Sequence, residues 1–306
     1  MAGAYAHLTV VNHAQKLARN ALRSADVKFS LAMHLRYLEL GAVSPDYPYL
    51  AVGQAAWADQ MHGTNTASLL RSGVLHLQQL DGRARERATG WLFGFASHMT
   101  TDMTVHPVVE KLVGPYRGNE AAHRQCEMHQ DAFIFQKLDL GDVGLTEHLR
   151  SGIASCNDRN DARRLDPAIA DLWLQMLRDS YPLDDRQPGP DPHQWHRGFA
   201  GVLGAVNTVN RLFPFARHVA TNLNLTYPEL DEVEDRFIRD LKTPEVRLDY
   251  EQVFQRACNN VVSVWCGIED ALTGRSPAFL DDLKDWNLDT GKTVPDGRYL
   301  FWTEAV

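Results

Sequence analysis

No uninterrupted apolar stretch in the 306-residue chain approaches the ~20 residues that a helix needs to cross a bilayer. The first residues, Met1-Ala2-Gly3-Ala4-Tyr5-Ala6-His7, lack a basic segment followed by an apolar core, so no secretory signal is read there and a cytoplasmic product is expected. Cysteine is scarce. Cys126, Cys156, Cys258 and Cys266 form no CxxC pair and no zinc-ribbon spacing, which leaves reduced structural thiols as the expectation. Strict apolar alternation is rare and no long run of Val, Ile and Thr marks a central strand, so a β-rich core is not expected. A basic excess is also missing. The formal net charge of −8 disfavours a surface made to wrap a nucleic acid backbone. A phosphate-bearing substrate stays compatible with it, because divalent cations in a cleft reverse the local potential.

What the chain does have is helix-forming sequence. With 44% hydrophobic residues its balance is globular, and its length suffices for one large core or two ordinary ones. The expected fold is all-α: a single multi-helix domain over residues 1–275, with a Gly-, Pro- and Asp-rich, mostly irregular tail over 276–306 packing on it. Apolar spacing predicts helices at about residues 7–25, 28–40, 67–79, 84–106, 120–137, 146–153, 167–179, 196–222 and 250–272. Gly41-Ala42-Val43-Ser44-Pro45-Asp46-Tyr47-Pro48 reads as a break. Proline disfavours the α conformation of the residue before it, so Ser44 and Tyr47 are expected to be extended, with Asp46 fixed on a constrained loop. Residues 182–192 read as a connector or surface excursion.

The chemistry-bearing pattern is histidine with carboxylate. His98, Asp102 and His106 follow at four-residue steps, and on a helix such residues share a stripe with neighbouring Cβ atoms about 5–6 Å apart. His123 and Glu127 repeat the device. Two facing helices that each offer imidazole and carboxylate suit zinc, whose nitrogen and oxygen ligands sit about 2.0–2.2 Å away. Either pair alone is weak, since surface helices carry such spacings by chance or as hydrogen-bonded caps. Asp131, four residues after Glu127, shares that face and is a candidate to orient a ligand, the plainer reading being a solvated carboxylate. His129 is rotated off it by about 240°.

Read together, the separated pieces resemble one family. Ala6-His7-Leu8-Thr9-Val10-Val11-Asn12, the loop ending at Asp46, Asp59-Gln60-Met61-His62, the His98/Asp102/His106 stripe and the His123/Glu127 pair occur in the order seen in bacterial zinc-dependent phospholipases C. That family includes clostridial alpha-toxin and, more distantly, the N-terminal domain of glycosylphosphatidylinositol-specific phospholipase D and the single-strand-specific zinc nucleases. The resemblance covers roughly the first 135 residues and implies the following roles. His62, His98 and Asp102 would hold one zinc, and His106, His123 and Glu127 a second. Asp102 would also reach a third zinc held in part by His7, and Asp46 would orient or deprotonate the attacking water. Secreted relatives complete that third site with an N-terminal tryptophan about a dozen residues before the matching histidine. Only six residues precede His7 here and none is tryptophan, so two zincs are expected and the third site is completed differently, weak or empty. The step from Asp102 to His106 is shorter than in the family, and Pro107 directly after it is expected to bend the helix.

Paired zincs about 3.5–4 Å apart acidify a water and neutralise phosphoryl oxygens during in-line attack, so a phospholipid or other phosphodiester is the expected substrate, with transient contact to a membrane surface. Two other functions compete. A zinc nuclease of the same architecture would want a track of Arg and Lys beside stacking aromatics, which the acidic balance disfavours. A non-catalytic, metal-stabilised scaffold would need neither an open coordination position nor a water-activating acid such as Asp46. His13, His34, His76, His148 and His218 lack ligand spacing and read as structural or solvated. His193 and His196 around Trp195 read as a polar loop leading into a helix rather than an auxiliary metal or lipid contact, and Tyr299-Leu300-Phe301-Trp302 as a terminal cluster packed on the body rather than a membrane insert. The sequence carries no signal for oligomeric state.

Overall fold

The chain winds through α1 (Ala4–Ala21), α2 (Ala25–Met33), α3 (Leu35–Val43), a 3-10 helix (Ser44–Leu50), α4 (Ala55–Gly63), α5 (Thr66–Leu77), α6 (Gly82–Val113) and α7 (Glu120–Phe135). It continues through α8 (Pro167–Ser180), α9 (Pro192–Val206), α10 (Tyr250–Leu272) and α11 (Ala278–Asp282). Two short antiparallel hairpins complete it, β1 (Leu241–Lys242) with β2 (Arg247–Leu248) and β3 (Trp286–Asn287) with β4 (Lys292–Thr293). The structure is a computed structural model that describes residues 3–138, 152–182, 187–206 and 227–302. The all-α expectation holds. Among the described residues no helix is long and apolar enough to cross a membrane.

The fold is organised around α6, in which every residue from Ala88 to Val109 is buried. A helix covered on all sides must satisfy its polar side chains from within. Ser97 donates to the Gly94 carbonyl at 2.7 Å, and Thr100 and Thr104 donate to the Ala96 and Thr100 carbonyls at 2.8 Å. Indoles from other elements also bond to it, with Trp265 Nε1 donating to the Phe93 carbonyl at 2.8 Å and Trp302 Nε1 to the Thr104 carbonyl at 2.9 Å. Against α6 lies α3, so close that a Cβ on Gly41 would collide with the Trp91 carbonyl and one on Gly94 with the Leu38 carbonyl. Only glycine permits this backbone contact. It is what brings the Ala42 carbonyl within reach of His98.

Several expectations change. The helix expected over 28–40 is two helices that meet at His34 (φ −118°, ψ 38°), where the chain turns so that α3 lies along α6. Ser44 is helical (φ −59°, ψ −42°) and Tyr47 lies within the 3-10 helix, so neither is extended. The pre-proline bias at Ser44 is outweighed by its hydroxyl, which donates to the Leu40 carbonyl and accepts from Trp91 Nε1, each at 2.8 Å. The helix expected to end at His106 runs through Pro107 to Val113. Sequence reading missed α4 altogether. Trp195 and its flanking histidines sit in the first turns of α9, not in a loop. Trp195 is fully buried, its Nε1 donating to Gln54 Oε1 at 2.8 Å, so it faces no lipid. The helix expected over 146–153 and residues His148 and His218 lie outside the described residues, apart from a 3-10 turn at Ile153–Ser155. All four cysteines are unpaired.

Candidate metal centre

Six of the singled-out residues meet in the interior. His98, Asp102 and His106 come from α6, His7 from α1, His62 from α4 and Asp46 from the 3-10 helix after α3, and none is more than 3% exposed. The hub is Asp102. Its Oδ1 lies 3.3 Å from His7 Nε2 and 3.4 Å from His106 Nε2, and its Oδ2 lies 3.3 Å from His98 Nε2 and 3.7 Å from His62 Nε2. Asp46 Oδ1 is 3.3 Å from His62 Nε2. The ligand-type atoms of His62, His98 and Asp102 fall within 4.8 Å of one another, and so do those of His7, Asp46 and His98. The first set is the one that the resemblance assigns to a single zinc.

Whether a cation fits is decided by where the ring nitrogens point. His62 and His98 face each other through Nε2 atoms 3.3 Å apart, while their Nδ1 atoms bond the Ala58 carbonyl at 2.7 Å and the Ala42 carbonyl at 2.9 Å. His106 bonds the Leu288 carbonyl through Nδ1, and its Nε2 is buried without a hydrogen bond. Both ring nitrogens of His7 and Oδ1 of Asp46 are likewise buried without one. Approaches of 3.3–3.7 Å that are not hydrogen bonds mean that these atoms point at shared space rather than at each other. A carbonyl holding one imidazole nitrogen while the other faces a carboxylate-lined centre is how proteins present histidine to a metal. The donor set suits zinc.

His123 and Glu127 lie outside these two sets. His123 bonds the Gly114 carbonyl through Nε2 at 2.7 Å and keeps a buried Nδ1 without a hydrogen bond, repeating the carbonyl-backed arrangement. Burial pushes the Glu127 carboxyl up to about 7, with the negative charge of Asp102 adding to the shift. A nearby cation would ionise it. Asp131 is not solvated. It accepts from the Tyr5 and Ala6 main-chain N–H groups at 3.2 and 2.7 Å and from the Tyr227 hydroxyl at 2.8 Å, so it pins the first turn of the helix that carries His7. A Cβ on Gly3 would collide with it. His129 stacks on Phe237 away from the centre, with centroids 4.7 Å apart.

Electrostatics follow from burying opposite charges together. Burial opposes the ionised form of Asp102, but His106, His98 and His7 override it and hold the carboxyl well below its usual range. For Asp46 the same contest is decided by His98 and His62, and its carboxyl is also lowered. Burial would lower His98, yet Asp102 and Asp46 raise it. His7 and His106 are lowered, chiefly by burial. Burial also takes His123 down, to about 4. The metal-free protein should therefore lose stability between pH 7 and pH 5. Below about 6.5 the unfolded chain takes up protons that folded His7 and His106 refuse, at a cost of at most about 1.4 kcal/mol per pH unit for each. His98, with its raised value, works the other way: its contribution is complete below 6.5 and is lost as pH rises through the folded value. The Glu127 and Asp131 carboxyls, raised to about 7, act in the same direction as His98. The lowered histidines, His123 and His196 among them, outnumber these three. Asp46 and Asp102 stay ionised across the window. Urea midpoints of chelator-treated protein at the two pH values test this, and a midpoint at pH 5 equal to or above that at pH 7 would contradict it.

Sequence reading missed the Ala42, Ala58, Gly114 and Leu288 carbonyls that hold the histidines, and Asp289, whose charge partly offsets the lowering of His106 and His123. Main-chain carbonyls leave no residue-type signature, and Asp289 lies in a turn far from every other site residue along the chain.

No curated protein matches this chain, and no solved structure does either. A family model described as zinc dependent phospholipase C matches residues 6–182, well past the segment on which the sequence motifs rest. With more than half of its length inside that match and buried His/Asp groups able to hold a metal ion, the chain belongs to the zinc dependent phospholipase C family.

Proposed function

We propose that this protein hydrolyses a phosphodiester bond of phospholipids, releasing diacylglycerol and a phosphorylated head group. The reading is carried by the buried, carbonyl-backed imidazoles that converge on Asp102 beside a second carboxylate, Asp46, whose Oδ1 makes no hydrogen bond. His62, His98 and Asp102 would hold one zinc, His106, His123 and Glu127 a second, and His7 with Asp102 a third. Zinc supplies, when bound, positive charge that acidifies water near neutral pH and offsets the charge that builds on phosphoryl oxygens. The chain's own residues do the rest. Asp46, ionised and fixed by the 3-10 helix, accepts a proton from the attacking water at Oδ1. His62 and His98 keep their Nε2 lone pairs facing inward because Ala58 and Ala42 take up their Nδ1 protons. Asp131, on α7, keeps the first turn of α1, and with it His7, in place.

A nuclease reading is disfavoured by the net charge of −8. A purely structural metal site is disfavoured by Asp46, which such a site does not require. The expected result is at least two zincs per chain by elemental analysis, release of phosphocholine or phosphoethanolamine from phospholipid vesicles, loss of that activity on chelation and its return with zinc. Cleavage of single-stranded DNA without vesicle cleavage would overturn the lipid assignment.

A further inference from the structure

Residues 285–293 lie outside the family match, yet they contact the candidate centre at two of its histidines. The Leu288 N–H donates to the main-chain carbonyl of His62 at 2.7 Å, and the Leu288 carbonyl accepts the Nδ1 proton of His106. One residue's two peptide groups thus tie together histidines from α4 and α6. The hairpin that carries Leu288 is itself anchored. Trp286 N–H donates to Thr66 Oγ1 at 2.6 Å, that hydroxyl donates to the Trp286 carbonyl at 3.1 Å, and Asp285 accepts from the Ala67 N–H at 2.9 Å, all at the start of α5.

The other end rests on α6 directly after His106. Pro107 has no N–H, so the Met103 carbonyl is left without its helical partner. Gly291 (φ +66°) closes the turn over this spot, where a Cβ would collide with the Pro107 ring and lie 2.9 Å from the Met103 carbonyl oxygen. Proline on the helix and glycine on the hairpin are matched halves of one seat.

We propose that the β3–β4 hairpin is a built-in part of the metal centre: Leu288 fixes the spacing of His62 and the orientation of His106. The inference rests on the zinc reading above. Leu288 is a positioning residue. Its carbonyl holds His106 in the tautomer whose Nε2 faces Asp102, and its N–H ties the His62 main chain to the same point, so histidines from separate helices keep their spacing.

The test uses the full chain with Gly291→Ala, which drives the turn off Pro107, and Thr66→Val, which removes the hydroxyl that anchors the hairpin at Trp286 and keeps the shape. Zinc affinity is read by competition with a chromophoric chelator, and the unfolding midpoint of each metal-free protein is measured alongside. Gly291→Ala is expected to weaken one zinc per chain about ten- to a hundredfold, the usual effect of removing a group that orients a ligand. Thr66→Val is expected to weaken the same zinc by a smaller factor, beyond any change in the metal-free midpoint. If wild type binds zinc and both folded variants bind it as tightly, with only the midpoints lowered, the hairpin is merely structural and the inference is overturned. If wild type itself takes up no zinc, the zinc reading fails and the inference falls with it.

Discussion

Replacing Asp102 by alanine should leave a protein that retains at most the zinc assigned to His106, His123 and Glu127 and hydrolyses no phosphodiester. Four imidazoles from three helices surround this carboxylate, at 3.3 Å (His7), 3.3 Å (His98), 3.4 Å (His106) and 3.7 Å (His62). Its oxygens approach four of the proposed ligands, and they belong to two of the three proposed zinc sets. Truncation removes a ligand and also the counter-charge that keeps His98 raised. Deleting one partner of a buried ion pair costs about 3–5 kcal/mol when the other charge is stranded. Here the cost should fall towards the lower end, because His98 sheds its proton instead. The metal-free variant should then still fold, and Asp102→Asn should fold better while binding zinc no better. Elemental analysis with thermal unfolding in the presence and absence of zinc separates the two effects. Full zinc content in either variant would show that Asp102 is not the hub of the centre.

How much of this was legible in the sequence depends on the kind of signal each part leaves. The α10 helix, Tyr250–Leu272, was readable to the residue because one face is buried and the other solvated, and Asp249 with Gln252 forms a capping box at its start. The His98/Asp102/His106 stripe was readable because four-residue steps on a helix are local geometry. The break at His34 was not, because nothing in the local sequence forbids a continuous helix there, and the turn answers to the close crossing at Gly41 and Gly94. The helical state of Ser44 was not, because two hydrogen bonds to partners in the folded protein decide it. The continuation of α6 through Pro107 was hidden for the same kind of reason: the helix is fully buried and held from outside, so losing one internal hydrogen bond does not end it. His123 and Glu127 were found by spacing, but their offset from the six-residue cluster depends on how α7 packs, which spacing does not carry.

Asp46→Asn should do the opposite of Asp102→Ala: turnover falls while zinc stays. Asparagine matches aspartate in shape, so the 3-10 helix and the 3.3 Å approach to His62 Nε2 are preserved. Proton acceptance is lost, since an amide oxygen is a far weaker base than a carboxylate. General-base assistance contributes about 10²–10⁴-fold, which is the expected drop in kcat, with KM little changed because the substrate's own contacts are untouched. Asp46 suits the role because its carboxyl is held ionised against the cost of burial by His98 and His62, and its Oδ1 has no hydrogen bond to break before it takes a proton. Its position beside His7 and His98 also admits a second role as a ligand. The two are told apart by stoichiometry. Zinc content at the wild-type level with turnover lost assigns Asp46 to the proton, whereas one zinc lost together with turnover assigns it to the metal. Retention of both full turnover and full zinc would remove Asp46 from the mechanism.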